Sequence, residues 1–423
     1  MHSSEIGTTH IIGAGLAGLA AAIRLVSSQR RVVVHEATAY AGGRCRSFFD
    51  QVTGLSIDNG THLLLSGNHA ALSYASTIGS VAGLQGPKEA EFRFFDCASR
   101  EKWTLRFGDS RFPWWVFNKD RRVPQTSFMD YLAVARLAWA GSDRPLSEVV
   151  KCAGPIYDRL LEPLLLAALN ISPPEGSAKL ASALIRETLA LGGKACRPLL
   201  AREGLGAVFV EPAVNYLRQR NASILFEHQL RAMRFSGARL VELDFGPETI
   251  PLGSGDAVVL AVPPYVATNL VPGLKAPTSF RGIVNAHFRM DNPPELPSML
   301  GLINATSQWV FTHPGRISVT ISDGGRLFEL PKAELAQAIW DDVAPIAGLS
   351  RSLPPWQLVR ERRATFAATA EQNALRPPPQ TAWRNLLLAG DWTATGLPAT
   401  IEGAVRSGYR AAELVSTQLR EAA

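Results

Sequence analysis

The chain has 423 residues, of which 46% are hydrophobic and 19% are charged, and its formal net charge is +6. This length allows two or three domains with substantial cores. Its basic residues are scattered, which argues against nucleic-acid binding, and no apolar run reaches the roughly 20 residues of a membrane span. No pair among the four cysteines has metal or redox spacing, so we expect reduced thiols, no metal site and a cytoplasmic protein.

The N-terminal segment TTHIIGAGLAGLAAAIRLVSSQRRVVVHEA predicts a strand, a tight turn, a helix and a second buried strand. Gly13, Gly15 and Gly18 form the pattern G-x-G-x-x-G at the turn. The first glycine permits the turn, the second lets backbone approach a pyrophosphate, and the third allows the helix to pack closely on the strand. Leu16 and Ala17 open this helix, whose N-terminal amides are expected to bind the phosphates.

The end of the second strand carries further candidates for dinucleotide binding. Glu36 ends that strand, where a carboxylate accepts hydrogen bonds from ribose hydroxyls. Gly42 and Gly43 follow in AGGRCRSF and can bring backbone near the cofactor, while Arg44 can reach its phosphates. Taken alone, the Gly-Gly pair is more simply interpreted as a surface turn.

The next part of the chain changes from extended to helical patterns. Residues 45–60 read as extended, with LSIDNGTH closing a strand, followed by the helix NHAALSYASTIGS and the hairpin EFRFFDCASREKWTLRFG. Helices are then predicted in SFMDYLAVARLAWAG, IYDRLLEPLLLAALN and SAKLASALIRETLALGG.

An α/β pattern returns after residue 200. AVFVEPAVNYLRQR predicts one helix, SILFEHQLRAMRFSGARLVELDFG a pair of strands, and DAVVLAVPP another strand. A mixed segment follows, with the strand-like WVFTHPGRISVTIS and the helix PKAELAQAIWDDVA, and RPPPQ at 376–380 is predicted to be a loop.

The C-terminal stretch LLLAGDWTATGLPATIEGAVRSG predicts a last buried strand and a helix. Gly390 and Asp391 would lie at the carboxyl edge of the sheet, where an aspartate can hold ribityl hydroxyls. Pro398 suits the first turn of the helix, whose N-terminus can point at the pyrimidine end of a flavin. Gly403 and Gly408 would let this helix press close to the cofactor and the sheet.

The fold class is therefore predicted as α/β, with a Rossmann-like FAD-binding domain built from discontinuous segments and an inserted mixed α+β substrate domain. The FAD-binding domain is assigned residues 1–84, 201–276 and 381–423. The substrate domain is assigned residues 85–200, which are largely helical, and 277–380. Ligand is expected at the junction.

Four motifs, IIGAGLAGLAAA, GGRCRSF, VVLAVPP and the C-terminal block, resemble the flavin-containing amine oxidase and phytoene desaturase superfamily. A narrower set, including IDNGTHLLLSG, FPWWVFNKDRRVPQTSFMDYL and RATFAATAEQNALRP, resembles the hydroxysqualene dehydroxylase family, also called squalene-associated FAD-dependent desaturases. That resemblance implies FAD and reductive dehydroxylation of hydroxysqualene, a hydrophobic isoprenoid, in squalene and hopanoid synthesis.

The resemblance also implies further cofactor contacts. Backbone around Gln229 and Leu230 would contact adenine. Gly60 and Thr61 would lie beside the flavin, although the family usually has glutamine at position 61, which puts that contact in question. The amides of the segment Ala399, Thr400 and Ile401 would approach the flavin pyrimidine.

Two residues of the same loop are candidates for the acid that assists loss of water. Asp58 ends a strand and is more simply explained as a turn cap. His62 is better placed if the loop faces the flavin, although a lone histidine more often has a structural role.

Other interpretations of the chain remain open. A carotenoid-type desaturase would share the fold and run the flavin oxidatively, an amine oxidase usually has an aromatic residue where this chain reads TATGLPAT, and an escort protein would lack redox chemistry. The sequence has no second G-x-G-x-x-G, which leaves the electron donor open.

The segment DSRFPWWVFNKDRRVP interleaves aromatic and basic residues. Such a segment suits a peripheral contact with the inner membrane through Trp114 and Trp115, or else it buries its tryptophans in the second domain.

Overall fold

A computed structural model of the chain describes residues 7–28, 30–290 and 296–422. Residues 1–6, 29, 291–295 and 423, which the predicted domain segments include, lie outside the described residues. The described strands are, in chain order, β1 (Thr8–Ile12), β2 (Arg31–His35), β3 (Ser47–Asp50), β4 (Leu55–Asp58), β5 (Leu63–Leu65), β6 (Leu84–Gln85), β7 (Glu91–Asp96), β8 (Lys102–Arg106), β9 (Pro198–Ala201), β10 (Ser223–Leu225), β11 (Ala232–Ser236), β12 (Arg239–Asp244), β13 (Thr249–Pro251), β14 (Ala257–Leu260), β15 (Phe280–Arg289), β16 (Met299–Ile303), β17 (Trp309–His313), β18 (Arg316–Ile321), β19 (Trp356–Phe366) and β20 (Leu386–Leu388).

The described α-helices are α1 (Leu16–Val26), α2 (His69–Thr77), α3 (Leu132–Ala138), α4 (Glu162–Leu169), α5 (Ala178–Glu187), α6 (Gly193–Cys196), α7 (Glu211–Arg218), α8 (Pro264–Leu270), α9 (Lys332–Val343), α10 (Ala370–Ala374) and α11 (Ile401–Ala422). Short 3₁₀ turns lie between several of them, including Gly43–Cys45, Trp114–Phe117, Lys119–Arg121 and Phe128–Tyr131.

Within the described residues, a five-stranded parallel sheet has the order β10-β2-β1-β14-β20. Its central strands are short apolar runs, as expected for a sheet covered on both faces. Alternate residues of β14 show this, because Val259 belongs to the core that contains α1 and α11, whereas Val258 and Leu260 belong to a second core on the opposite side, which includes residues of β12, α4 and α5. The strands come from the beginning, middle and end of the chain, which confirms the predicted discontinuous α/β fold.

The second large sheet has seven described strands in the order β19-β15-β18-β17-β16-β7-β8, and all its pairs except β16 with β7 are antiparallel. On β15, Val284, Ala286 and Phe288 pack in the core beneath α9. Because side chains alternate along a strand, Asn285 and His287 face the other way. The division of the chain into two domains at the predicted boundaries remains a prediction.

Helices α1 and α11 bring the two ends of the chain together. A Cβ at Gly408 on α11 would overlap the carbonyl oxygen of Ala17 and lie 2.9 Å from the Cβ of Ala20 on α1. Gly408 therefore allows helix-on-helix contact, and the expectation that it presses against the sheet is wrong. A Cβ at Gly403 would lie 3.3 Å from the carbonyl oxygen of Pro398, within its own loop.

Two predicted helices each begin with a wider π turn, Tyr157–Leu161 before α4 and Gly206–Val210 before α7. Pro163 and Pro212 stand near the start of the two α-helices. A proline has no N–H to donate and its ring crowds the carbonyl four residues earlier, so the preceding turn widens. The predicted pair of strands after residue 222 is also wrong, since that stretch forms β10, β11 and β12.

Candidate active site

The glycine turn lies between β1 and α1. Gly13 has a φ of +106°, and a Cβ there would lie 2.5 Å from the carbonyl oxygen of Ala261, while a Cβ at Gly18 would overlap the Gly13 carbonyl. At Gly15, in contrast, an added Cβ would have no atom of the described residues within 4 Å. The middle glycine thus borders open space at the N-terminus of α1, where Leu16 and Ala17 begin the helix, and this fits the close approach of a diphosphate.

The Glu36 carboxylate lies against this turn. It accepts hydrogen bonds from the Ala14 amide at 2.8 Å, the Thr38 amide at 3.0 Å and the Thr38 hydroxyl at 2.8 Å. The His228 amide donates to the Glu36 carbonyl at 2.8 Å, which brings the segment with the exposed Gln229 and the buried Leu230 to the same edge. The residues predicted to contact ribose and adenine are therefore neighbours.

Behind Glu36 lies a chain of hydrogen-bonded imidazoles that the sequence did not reveal. His10 Nδ1 lies 3.0 Å from His35 Nε2, His35 Nδ1 lies 2.8 Å from His228 Nδ1, and His228 Nε2 lies 2.8 Å from Glu248. The His228 ring stacks on Phe245 with centroids 4.0 Å apart. Burial lowers the pKa of His35 to about 3, helped by the two neighbouring imidazoles.

The Gly-Gly turn packs directly on the glycine turn. The Gly42 amide donates to the Ala14 carbonyl at 2.8 Å, and Gly43, with a φ of +53°, would place a Cβ 3.5 Å from the Cα of Gly15. This proximity favours the cofactor interpretation over an isolated surface turn.

Arg44 and Asp391 form one ion pair at the centre of the site. Arg44 Nη2 lies 2.7 Å from both carboxylate oxygens of Asp391, and Arg44 also donates to the Ala364 carbonyl. The Arg44 side chain is 44% exposed and that of Asp391 only 7%. The two residues predicted to bind different parts of the cofactor, phosphates and ribityl chain, are thus direct partners.

The loop after β20 is held by Arg376, which the sequence placed in an ordinary loop. Gly390, with a φ of +146°, donates its amide to the Ser407 hydroxyl on α11 at 2.8 Å. Arg376 is buried and donates to the carbonyls of Thr393 at 2.9 Å and Asp391 at 3.0 Å, and to the Thr395 hydroxyl at 2.7 Å. Burial lowers its pKa to about 10, so it remains a cation at neutral pH.

Helix α11 begins at Ile401 and not at Pro398, so the predicted placement of that proline in the first turn is wrong. The Thr400 hydroxyl accepts the Gly403 amide at 3.0 Å and thereby caps the helix. Ala399 and Thr400 are half-buried and Ile401 is buried. The first amides of a helix have no intrahelical acceptor, so this end can bind an electronegative group.

The connection from β4 to β5 carries the candidates beside the flavin. A Cβ at Gly60 would lie 3.2 Å from the side-chain nitrogen of Asn285. Thr61 is buried, and its hydroxyl has no hydrogen-bond partner among the described residues. Burial lowers the pKa of His62 to about 4, the Arg44 cation lowers it further and the Asp391 carboxylate opposes them. His62 is therefore electrostatically coupled to the central ion pair.

The Asp58 carboxylate has structural partners. It accepts the Ser47 hydroxyl at 2.5 Å and the Leu205 amide at 2.8 Å, and lies 3.9 Å from Arg316. These bonds join the β3–β4 hairpin to the loop before α7, and burial raises the pKa of Asp58. An acid role for Asp58 stays a prediction, and its contacts favour the alternative that it fixes a turn.

Two side chains on the polar face of β15 form hydrogen bonds with the backbone of the β4–β5 connection. Asn285 donates to the Asn59 carbonyl at 3.3 Å, and the His287 Nε2 lies 3.2 Å from the Asp58 carbonyl. The other ring nitrogen of His287 lies 2.9 Å from the Ser318 hydroxyl. Burial lowers the pKa of His287 to about 3, with further contributions from Arg316 and His313.

Comparisons with known proteins agree with this geometry. The family of flavin-containing amine oxidoreductases matches residues 16–416. The chain is 59% identical to a hydroxysqualene dehydroxylase of Rhodopseudomonas palustris, covering 96% of this chain and 98% of that protein, and 55% identical to one of Sinorhizobium fredii, covering 97% and 98%. The solved cyclohexylamine oxidase of Brevibacterium oxydans shares the fold with a TM-score of 0.70 at 16% identity, covering 98% of this chain and 99% of that one.

These matches confirm the predicted resemblance, the fold class, the flavoenzyme class and FAD as the cofactor. The roles of the individual site residues stay predictions. The chain belongs to the flavin-containing amine oxidoreductase family and, within it, to the hydroxysqualene dehydroxylases.

Proposed function

We propose that this protein catalyses the FAD-dependent reductive dehydroxylation of hydroxysqualene to squalene, in squalene and hopanoid synthesis. The observation that carries the proposal is the 59% identity, over nearly the full length of both chains, to a protein named hydroxysqualene dehydroxylase. In this reaction the carbon–oxygen bond breaks, the hydroxyl leaves with a proton as water, and a hydride forms the new carbon–hydrogen bond.

FAD, when bound, supplies the hydride. The open approach at Gly15 and the free end of α11 fit a cofactor that runs along the edge of the five-stranded sheet. The residues that would hold it are Gly13, Gly15, Leu16, Ala17, Gly18 and Arg44 at the diphosphate, Glu36, Gln229 and Leu230 at the adenosine, and Gly42, Gly43, Gly60, Thr61, Gly390, Asp391, Ala399, Thr400 and Ile401 near the flavin half.

His62 is the proposed proton donor to the departing hydroxyl. With a pKa of about 4 its ring is neutral at pH 7, and a neutral imidazole can orient a hydroxyl but transfers a proton poorly. Arg44 contributes to that low value and Asp391 opposes it. Burial is the largest cause of the low pKa and would remain, but an Arg44 drawn to phosphates would oppose Asp391 less, and the pKa of His62 would rise.

The decisive experiment incubates anaerobic, photoreduced protein with hydroxysqualene and follows flavin reoxidation together with squalene formation. Squalene formed in step with reoxidation supports the proposal. Reoxidation without squalene, or desaturation of phytoene by the oxidised protein, would contradict it and favour a carotenoid-type desaturase.

The role of His62 has its own test. His62→Ala should keep FAD bound and slow single-turnover hydride transfer by about 10²-fold or more. His69→Ala is a matched control, because His69 is exposed on α2. Turnover by the His62 variant equal to that of the control would remove His62 from the mechanism.

The protein is also proposed to work as a peripheral protein on the cytoplasmic side of the membrane. A long apolar substrate partitions into bilayers, so an enzyme acting on it gains from a membrane contact. None of the described helices is long and apolar enough to cross a bilayer.

A further inference from the structure

Exposed apolar side chains concentrate in one short part of the chain. Half of the fourteen large hydrophobic side chains that are exposed among the described residues lie between positions 112 and 139. Single exposed apolar residues are ordinary, but a concentration of this kind marks an interaction surface. We define the aromatic surface by six of these residues, which are 49–82% exposed: Phe112, Trp114, Phe117, Phe128, Leu132 and Trp139.

The aromatic surface is continuous across two segments. The Phe112 ring lies 4.3 Å from that of Trp114 and 6.3 Å from that of Phe117, and Phe117 lies 5.8 Å from Phe128 (centroid distances). Phe128 begins a 3₁₀ turn that leads into α3. Leu132 is the first residue of α3, and Trp139, seven positions later, directly follows its last residue, so the two lie on the same side of the helix. Large apolar side chains at both ends of α3 are thus turned to solvent.

Cations surround these side chains. Residues 111–139 contain five arginines or lysines and two aspartates, which gives the segment a formal charge of +3. Arg111, Lys119 and Arg136 are exposed, and none of them forms a salt bridge with any described carboxylate. Aromatic rings beside unpaired cations match the interface of an anionic bilayer.

This charge also argues against a second copy of the chain as the occupant. A symmetric dimer through this surface would place the same cations opposite one another, and their repulsion would oppose association. Anionic lipid headgroups would neutralise them.

The aromatic surface is joined to the active site by apolar residues. Trp115 and Tyr131 lie just beneath it, with ring centroids 5.2 Å apart. They belong to a hydrophobic cluster against which Leu63 and Leu65 pack, the residues of β5 that follow His62. The cluster therefore extends from the surface to the loop that carries the proposed proton donor.

We propose that the aromatic surface docks on anionic bilayers and that the isoprenoid substrate enters from the membrane on this side of the protein. The inference rests on the proposed function for its substrate, but the docking itself does not. Trp114 takes part in docking, whereas Trp115 is only 8% exposed, so the expectation that both tryptophans contact the membrane is wrong for Trp115.

Flotation of the full-length, FAD-loaded protein with vesicles tests the docking. Phosphatidylcholine vesicles with phosphatidylglycerol should bind the wild type, and added salt should weaken the binding. The double variant W114S/F117S should bind these vesicles at least about tenfold more weakly than the wild type. R111Q/K119Q should lose the preference for phosphatidylglycerol while keeping its weak binding to phosphatidylcholine alone.

F49S is the matched control. Phe49 is 68% exposed on β3, and the neighbouring Asp50 contacts Gln357 on β19. Strands β19 and β8 are opposite edges of the seven-stranded sheet, and the turn Lys119–Arg121 beside the aromatic surface packs on β8. F49S should float like the wild type, and thermal unfolding and the flavin spectrum should show that all variants are folded. Equal flotation of W114S/F117S and wild type, or equal loss in F49S, would overturn the proposal. So would a wild-type dimer that W114S/F117S converts to a monomer.

A paired activity assay separates docking from the proposed chemistry. With hydroxysqualene embedded in anionic vesicles, W114S/F117S should form squalene more slowly than wild type, and with detergent-dispersed hydroxysqualene the two should be equal. Equal rates in vesicles would contradict entry from the membrane. Absence of squalene in every assay would contradict the proposed function, and flotation would still decide the docking.

Discussion

The two large sheets contribute to the site in different ways. Both faces of the five-stranded parallel sheet are apolar, and what lies at its carboxyl edge is mostly backbone: the glycine turn and the N-termini of α1 and α11. The seven-stranded sheet is apolar beneath α9 and also, on its other face, around Phe94, Trp103 and Trp309, but that other face carries Asn285 and His287 toward the loop that holds His62. Cofactor binding should therefore be sensitive to an added Cβ in the glycine turn as well as to changes at Glu36, Arg44 and Asp391, whereas the substrate side depends on side chains alone.

The sharpest test of the backbone half compares two glycines. Gly408→Ala should lower the free energy of unfolding by about 3 kcal/mol, because its Cβ overlaps the Ala17 carbonyl where α11 meets α1. Gly15→Ala should change the stability of the FAD-free protein by no more than about 1 kcal/mol, because its Cβ has no neighbouring atom within 4 Å. It should weaken FAD binding about tenfold or more, because the Cβ would occupy the space proposed for the diphosphate. Urea unfolding measures the stability of both variants, and FAD titration measures their affinity for the cofactor. Normal FAD affinity in Gly15→Ala would contradict the proposed approach of the diphosphate to Gly15.

Arg376→Met tests whether a single side chain also matters on the cofactor side. It removes a buried cation that holds two carbonyls and one hydroxyl of the loop after β20, and we expect a loss of roughly 2 kcal/mol in unfolding free energy. FAD should bind more weakly and its reduction potential should shift, a change that a purely structural residue remote from the loop would not cause. Arg362→Met, at an exposed site, is the control.

The polar face of β15 predicts a pH dependence of stability. Folded His287 stays neutral down to about pH 3, whereas in the unfolded chain it binds a proton below about 6.5. The unfolded state thus holds more protons, and stability falls as pH decreases from 6.5 by roughly 1.4 kcal/mol per pH unit for such a histidine. His287→Gln should reduce the slope of urea midpoints plotted against pH, to which His35 and His62 also contribute, while His69→Gln, at an exposed site, should leave the slope unchanged.

The smallest expected effect concerns the cap of α11. Thr400→Ala removes the hydroxyl that accepts the Gly403 amide and should cost about 1 kcal/mol. FAD affinity should change little, because the proposed contact uses the Thr400 and Ile401 amides. A large loss of FAD without loss of stability would mean that the hydroxyl itself binds the cofactor.

The cofactor edge could be predicted from sequence because its signals are local. Gly13, Gly15 and Gly18 follow a strand and open a helix within a few residues, and Glu36 ends the next strand. The pairing of Arg44 with Asp391 could not be predicted, because the two residues are 347 positions apart and each had a plausible separate role.

The rest of the site was less predictable for two physical reasons. Trp114 and Trp115 are neighbours in one 3₁₀ turn that points one ring outward and the other inward, and composition cannot tell which. Arg376 and His287 act through tertiary contacts with residues distant in sequence, and a single arginine or histidine between apolar residues carries no spacing pattern.

The chain of hydrogen-bonded imidazoles behind Glu36 couples the tautomers of its three histidines. When all three rings are neutral and His228 Nε2–H faces Glu248, His35 must donate from Nδ1 and His10 must donate from Nδ1, so one choice of tautomer fixes the other two. Changing the tautomer of only one ring would place two lone pairs or two N–H hydrogens opposite each other. The direction in which the protons point is thus shared by β1, β2 and the stretch after β10, and nitrogen NMR shifts of the three rings would report it as a single alignment.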